Sequence, residues 1–160
     1  MLRSAEALFL GSHLNKIDAK GRIAAPADFR RALDLKAFHG FYCTPSLLGP
    51  FLDCGGGDYI LGLKDMIAAL DPFDPDRAAL EEALIGRSRQ IPFDGDGRFI
   101  LPQPLRDHVK LDERAFFIGF GETFQIRSAE EAEARMSEAA ERARAALGKL
   151  RNPARAEAMR

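Results

Sequence analysis

Two arginines each stand four residues after an aspartate, and this pairing of charged side chains is the clearest chemistry in the sequence. Asp18 precedes Arg22, and Asp94 precedes Arg98, with a glycine just before each arginine. A guanidinium group can contact DNA phosphates and the base edges of guanine. The same residues also suit a structural role, in which each aspartate caps backbone amides and each arginine pairs with nearby carboxylates. The two roles are compatible, because an aspartate that fixes a turn also aims the arginine that follows it.

Both pairs belong to a longer pattern that occurs twice in the chain. Residues 18–30 read Asp-x-x-Gly-Arg-x-x-x-Pro-x-x-x-Arg, and residues 94–106 repeat all five of these identities. Each identical residue lies 76 positions after its counterpart, and apolar positions between them also match. The sequence therefore predicts two copies of one supersecondary unit. One hairpin with a helix is close to the lower size limit of a stable domain, so the copies should pair within or between chains.

Charge differs between the copies and favours the first as a nucleic-acid contact. Residues 15–33 hold five basic and two acidic residues, a net charge of +3, whereas residues 91–109 hold two basic and three acidic residues, a net charge of −1. The whole chain has 23 basic and 24 acidic residues, so nucleic-acid binding requires local clustering or oligomerisation. The candidate DNA-binding residues are Lys16, Asp18, Lys20, Arg22, Arg30, Asp94 and Arg98.

Local signals predict the elements that position these residues. Each Asp-x-x-Gly segment predicts a tight turn, because aspartate accepts hydrogen bonds from nearby amides and glycine adopts a positive φ. Short strands are predicted over 23–25 and 99–101, and short helices begin after Pro26 and Pro102. Segment 44–58 contains two prolines and three consecutive glycines, which predicts a mobile surface loop. Four apolar runs are predicted strands: 41–43, 59–61, 115–118 and 124–126.

Longer helices are predicted after the last strand of each copy. One covers 64–70, and Asp74 followed by proline opens another that continues to residue 86. The longest begins at Ser128, whose spacing to Glu131 forms a capping box. Its apolar stripe is mostly alanine and suits either a packing face within the chain or an interface between protomers.

The other motifs predict no catalytic residues, no cofactor and no metal. Cys43 and Cys54 lack the further ligands of a zinc site and are predicted to be inert thiols. Segment 94–97 is similar to the start of a calcium loop, but Leu105 occupies the position of the bidentate glutamate. No Walker loop, dinucleotide fingerprint or nucleophile elbow occurs. The absence of a secretory signal and of a membrane-length apolar run predicts a cytoplasmic protein with reduced thiols.

The sequence resembles the MraZ family of bacterial regulators. The resemblance rests on the doubled motif at a fixed distance, on the segment from Gly11 to Pro26, and on Gly86 before the second copy, and it covers residues 8–147. A single copy is also similar to the wider AbrB-like group, which includes transition-state regulators and antitoxins. The resemblance implies an α+β fold in which two tandem AbrB-like swapped-hairpin units form a pseudo-symmetric β-barrel-like core with peripheral helices. The expected parts are a first repeat at 8–70, a linker helix at 71–87, a second repeat with a C-terminal helix at 88–147, and a disordered tail at 148–160.

The same resemblance implies a function and a set of partners. A ring-shaped homo-oligomer would bind short repeats of double-stranded DNA in the promoter of the division and cell-wall gene cluster, at the nucleoid in the cytoplasm. No membrane and no small-molecule substrate is expected. The family's motif falls on Asp18 with Arg22 and on Asp94 with Arg98, and Lys20 supports the first pair. The alternative is an antitoxin-like or protein-interaction module in which the motif is structural only.

Overall fold

The two halves of the chain are joined by pairing between their strands. The computed structural model describes residues 4–158, and these form eight strands in two antiparallel sheets. The strands of the first half are β1 (Ser12–Lys16), β2 (Arg22–Ala24), β3 (Gly40–Pro45) and β4 (Phe51–Gly55). The strands of the second half are β5 (Arg89–Pro92), β6 (Arg98–Ile100), β7 (Arg114–Gly119) and β8 (Phe124–Arg127).

The first strand of each half pairs with the third strand of the other half. The larger sheet has the order β1-β7-β8-β4-β3-β5, so β1 pairs with β7, and β5 pairs with β3. The smaller sheet consists of β2 and β6, in which Ile23 lies opposite Phe99. The predicted α+β class is confirmed. The predicted barrel-like core does not close within residues 4–158, because β1 and β5 are the end strands of an open sheet.

Helices follow the strands in both halves. The predicted helices after Pro26 and Pro102 are confirmed, and Asp74 caps a third by accepting a hydrogen bond from the amide of Asp76 at 2.9 Å. Single turns of other helix types also occur, two of 3-10 geometry at Ala5–Ala7 and Leu147–Lys149 and one π-helical turn at Glu81–Ile85. The α-helices in chain order are α1 (Ala27–Ala32), α2 (Gly57–Ala68), α3 (Pro75–Leu80), α4 (Gln103–Val109), α5 (Ala129–Ala146) and α6 (Pro153–Ala158).

Segment 44–58 contains a core strand, so the prediction of a mobile loop is wrong. The segment completes β3, turns, and forms β4, which pairs with both β3 and β8. Leu52 and Cys54 on β4 are fully buried. The glycine run is packed as well, since a Cβ built on Gly55 would lie 2.5 Å from Cβ of Tyr59. The glycines permit this close approach of the helix that follows and do not mark a disordered segment.

The apolar run 59–61 is helical, so the prediction of a strand there is also wrong. These residues lie in the first half of α2, which begins at Gly57 and not at residue 64. Ile60, Leu63 and Ile67 recur at three- and four-residue steps and are partly or fully buried. This helical spacing extends beyond the short run and determines the structure.

Phenylalanines from both halves form the centre of the core. The ring of Phe29 in α1 lies 5.4 Å from that of Phe9 and 5.1 Å from that of Phe124 in β8. The ring of Phe41 in β3 lies 4.9 Å from that of Phe99 in β6, in an edge-to-face arrangement. Such aromatic pairs contribute about 0.5–1.5 kcal/mol beyond their buried area. Because rings of the first half pack on rings of the second, the two halves share one core.

One compact unit ends at Ala129, and a second begins at Glu130. The second unit contains most of α5, where Arg135 pairs with Glu131 at the predicted four-residue spacing. Where the sequence predicts a disordered tail, the described residues form the end of a 3-10 turn and the exposed helix α6, and residues 159 and 160 lie outside the described part. Across residues 4–158, no helix combines the length and the apolar character needed to span a membrane.

The two cysteines face each other in the core, which makes their reactivity predictable. Cys43 and Cys54 are cross-strand partners, both fully buried, with sulfur atoms 3.6 Å apart. Burial raises the pKa of the Cys54 thiol well above its usual value, and only the thiolate is nucleophilic. We expect an aromatic disulfide reagent to label the native protein no faster than it unfolds, and both thiols to react at once in denaturant. Rapid release of the chromophore from native protein would contradict this expectation.

Candidate nucleic-acid interface

The predicted turn between aspartate and arginine occurs in both halves with the same hydrogen bonds. Oδ1 of Asp18 accepts hydrogen bonds from the amides of Lys20 and Arg22, at 2.9 and 2.8 Å. Oδ1 of Asp94 accepts the two equivalent bonds in the second half, at 2.9 and 3.0 Å. Each aspartate therefore holds the loop that leads to its arginine, as the sequence predicts.

A glycine in the left-handed region completes each turn. The φ angles are +82° at Gly21 and +74° at Gly97, a region that residues with a Cβ adopt at a cost. Each glycine immediately precedes the strand that carries the arginine. The two turns are thus alike in hydrogen bonding and in backbone conformation.

Pairing of β2 with β6 brings the two half-buried arginines onto one face of the ribbon. Ala24 lies opposite Arg98, and Arg22 lies opposite Ile100, so the arginines are diagonal neighbours on the same side of the ribbon. The other side carries Ile23 with its partner phenylalanine, and both are buried in the core. The sequence separates the arginines by 76 residues, and only this pairing brings them together.

The arginines and carboxylates at this face form a network of ion pairs. Nε of Arg22 donates to Oδ2 of Asp18 at 2.7 Å, and Nη1 of Arg98 lies 3.8 Å from the same oxygen. Arg98 also contacts its own turn, with Nε 3.5 Å from Oδ2 of Asp94 and Nη2 3.0 Å from Oδ2 of Asp96. Three carboxylates therefore surround Arg98, whereas one is within ion-pair distance of Arg22 in the described part of the chain. Arg22 is the less constrained of the two.

Hydrogen bonding keeps both turn aspartates ionised. The hydrogen bond from the Arg22 amide is the main cause that lowers the pKa of Asp18, and the bond from the Arg98 amide does the same for Asp94. The charge of Arg22 also lowers the pKa of Asp94, so the two turns interact electrostatically. Since folding lowers these pKa values, their contribution to stability is complete above the ordinary aspartate pKa of about 3.9. It is lost as the pH falls through the lowered values.

Lys16 and Lys20 are exposed to solvent near the first turn. Lys20 is at the tip of the turn, and Lys16 ends β1, where it faces Arg114 of β7 with both side chains exposed. Like charges at opposed positions of a sheet repel each other, which favours an anion between them. The hydrogen bond from the Glu113 amide is the main cause that lowers the pKa of the nearby Asp112, and the charge of Arg114 lowers it further. Sequence reasoning missed Arg114, because no local signal indicates that β1 pairs with β7.

Arg30 is half-buried and lies against the turn of the other half. A Cβ built on Gly97 would be 2.5 Å from Nη1 of Arg30. Arg106, which sequence reasoning did not select as a site residue, lies against Gly21, where a Cβ would be 2.9 Å from Nη1. The signal for Arg106 was present, because it is the repeat counterpart of Arg30.

The acidic residues of the second turn are engaged with arginine. Asp94 and Asp96, which give the turn its likeness to a calcium loop, both contact Arg98. Within residues 4–158, no three His, Cys, Asp or Glu side chains are grouped as metal ligands. The carboxylates of the second turn therefore act on Arg98 within the protein.

Comparisons with known proteins identify the family of this chain. A family model for the MraZ protein, described as antitoxin-like, matches residues 84–151. The protein named Transcriptional regulator MraZ from Rickettsia akari (strain Hartford) is 40% identical over 119 residues, which cover 74% of this chain and 80% of that protein. Proteins of the same name from Rickettsia rickettsii (strain Sheila Smith) and Rickettsia canadensis (strain McKiel) are 38% and 36% identical with the same coverage. The resemblance predicted from the motif is confirmed, and the chain belongs to the MraZ family.

Proposed function

We propose that the protein is a sequence-specific DNA-binding transcriptional regulator and not an enzyme. The observation that carries this proposal is the pair of Asp-to-Arg turns placed side by side, with Arg22 and Arg98 half-exposed on one face of the ribbon. Guanidinium groups held in fixed geometry suit phosphates and the edges of guanine bases. The relatives named as transcriptional regulators support the same class of function.

The residues of the first half carry the main DNA contacts in this proposal. Arg22 contacts a base edge or a phosphate, and Asp18 fixes the turn that aims it. Lys16 and Lys20 contact the phosphate backbone, where two exposed ammonium groups add affinity without sequence preference. Asp94 and Arg98 form the matching contact of the second half, which is weaker because its arginine is already surrounded by carboxylates.

The exchange of β1 and β5 between the halves supports the finer description of the fold. We propose that residues 8–70 and 88–147 are two AbrB-like repeats that swap their hairpins, and that 71–87 links them. The crossed strand pairs and the β2–β6 ribbon support this interpretation. The two repeats would then present their turns as one pseudo-symmetric surface.

Assembly into a homo-oligomer supplies the affinity that one subunit lacks. The first repeat carries a local charge of +3 on a chain whose net charge is −1, so a single copy should bind DNA weakly. A ring of subunits can engage successive promoter repeats at once, and linked contacts multiply affinity. We propose that this complex acts at the nucleoid, in the cytoplasm, on promoter repeats of the division and cell-wall gene cluster.

Binding of the purified protein to its own upstream promoter DNA tests the proposed function. Fluorescence anisotropy would compare this DNA with a scrambled duplex of equal length and composition, from about 50 to 200 mM salt. We expect a preference for the promoter and a log–log salt slope of about −0.9 for each neutralised phosphate. Equal affinity for both duplexes, or no binding at low salt by the assembled oligomer, would overturn the proposal.

An antitoxin-like interaction module is the second candidate, because one observation favours it. The motif arginines are engaged with carboxylates of their own chain, as a purely structural motif requires. A stable complex with a second protein, formed by a chain that has no affinity for DNA, would support this alternative.

A further inference from the structure

Arg30 and Arg106 hold equivalent positions in the two repeats, and each lies against the turn of the other repeat. Arg30 belongs to α1 and Arg106 to α4, and both side chains are half-buried. Nε of Arg30 is buried and has no hydrogen-bond partner among residues 4–158. A buried N–H without an acceptor is costly, so the position of this Nε calls for a reason other than charge pairing.

The reason lies in the glycines of the turns. A Cβ built on Gly97 would lie 2.5, 2.6 and 2.9 Å from Nη1, Cζ and Nε of Arg30. Three atoms at similar distances place the flat side of the guanidinium against the turn. The carbonyl of Gly97 also accepts a hydrogen bond from the amide of Ala25 at 3.1 Å, two residues before α1. The first repeat thus contacts the second turn through both backbone and side chain.

We propose that Arg30 and Arg106 are positioning residues, each of which holds the DNA-contacting turn of the opposite repeat. Arg106 supports residues 18–22, and Arg30 supports residues 94–98. The effect on DNA rests on the proposed function, and the role differs from the direct DNA contact that the sequence predicts for Arg30. A guanidinium is planar and weakly hydrated, so it can pack against a turn in a way that the compact, strongly hydrated ammonium of lysine cannot.

Positioning and direct contact predict opposite answers to the question of which arginine, when substituted, weakens DNA binding more. If the arginines touched DNA, Arg30 in the basic first repeat would matter more than Arg106 in the acidic second repeat. If they position turns, Arg106 matters more, because it holds the turn that carries Arg22. The two hypotheses therefore predict opposite rankings for the same pair of substitutions.

Hydrogen exchange in the full-length protein without DNA tests the positioning directly. Arg106→Lys should speed exchange of the amides in residues 18–22 and leave 94–98 unchanged, and Arg30→Lys should do the reverse. Arg31→Lys is the matched control, since Arg31 is exposed on the same helix as Arg30 and pairs with Asp28. It should change neither segment. Equal exchange in all variants, or a change in the variant's own repeat only, would overturn the proposal.

Promoter binding by the same variants separates positioning from contact. We expect Arg106→Lys to weaken binding by about tenfold, because a displaced Arg22 loses part of the roughly 5- to 150-fold contribution of a well-placed arginine contact. In Arg106→Gln, which removes the charge, the salt slope should stay the same, whereas loss of a phosphate contact would reduce its magnitude by about 0.9. Arg30→Lys should weaken binding less, and thermal unfolding should show that all three variants are folded. Full affinity in Arg106→Lys would contradict the proposal.

The two readouts distinguish failure of this inference from failure of the proposed function. Crossed exchange effects in a wild-type protein that binds no DNA would support the positioning role and overturn the regulator. DNA binding by the wild type, without crossed exchange effects, would support the regulator and overturn the positioning role.

Discussion

Arg22→Ala is expected to weaken binding of promoter DNA by roughly 5- to 150-fold, corresponding to about 1–3 kcal/mol for a specific arginine contact. Arg22 is the larger contributor because one carboxylate lies within ion-pair distance of it, while Arg98 has three. Arg98→Ala should therefore weaken binding less. In an assembled oligomer every subunit carries the substitution, so the loss of binding free energy adds up over all the DNA repeats that the oligomer engages. Anisotropy titrations with promoter and scrambled duplexes measure both effects.

A matched control separates the contact from the change in net charge. Either substitution removes one positive charge, which alone reduces attraction to DNA. The double variant Arg98→Ala with Asp96→Ala restores the net charge and removes the carboxylate that Arg98 engages at 3.0 Å. We expect this double variant to bind less tightly than the wild type, but by a smaller factor than Arg22→Ala, because Arg98 makes the weaker of the two contacts. Promoter affinity of folded Arg22→Ala equal to that of the wild type would show that the motif does not contact DNA.

Local chemistry was sufficient to predict the core of the candidate site. An aspartate, a glycine three residues later and an arginine directly after it define a turn through short-range hydrogen bonds. Those bonds depend on no distant residue. Pro26 and Pro102 likewise indicate where short helices begin. The repeat of the pattern also predicted that the two copies would pair.

The contacts that the sequence could not indicate depend on pairing between strands that are distant in the chain. Arg98 reaches Asp18 only because β2 pairs with β6, and Lys16 meets Arg114 only because β1 pairs with β7. The positions of Arg30 and Arg106 against the opposite glycines depend on the same exchange of strands. Such contacts arise from the packing of distant segments, which local sequence patterns do not encode.

Two errors in the first half have a shared physical cause. The glycines and prolines of 44–58 are typical loop signals, yet they allow the tight turn before β4 and the close approach of α2 behind it. With 44–58 expected to be a loop, the next apolar run, 59–61, becomes the expected strand. The helical spacing of Ile60, Leu63 and Ile67 would have corrected both errors.

Phe29→Ala is expected to lower the free energy of unfolding by about 3–5 kcal/mol, the usual cost of deleting a buried aromatic ring. Phe29 is 1% exposed and contacts rings that belong to both halves of the chain. Domains are stable by only about 5–15 kcal/mol, so the variant should be close to unfolding. Urea titration followed by far-ultraviolet circular dichroism measures the change, at one fixed protein concentration because association also contributes to stability.

The same substitution at an exposed phenylalanine provides the control. Phe73 is 94% exposed, and Phe73→Ala should change the free energy of unfolding by no more than about 0.5 kcal/mol. Leu105, the repeat counterpart of Phe29, is 2% exposed, so Leu105→Ala should cost about 2–5 kcal/mol. Because the halves share one core, each core variant should still unfold in a single transition that carries both repeats. Two separate transitions, with only one moved by Phe29→Ala, would mean that each repeat folds alone. In that case the crossed strands could not be what holds the two Asp-to-Arg turns together.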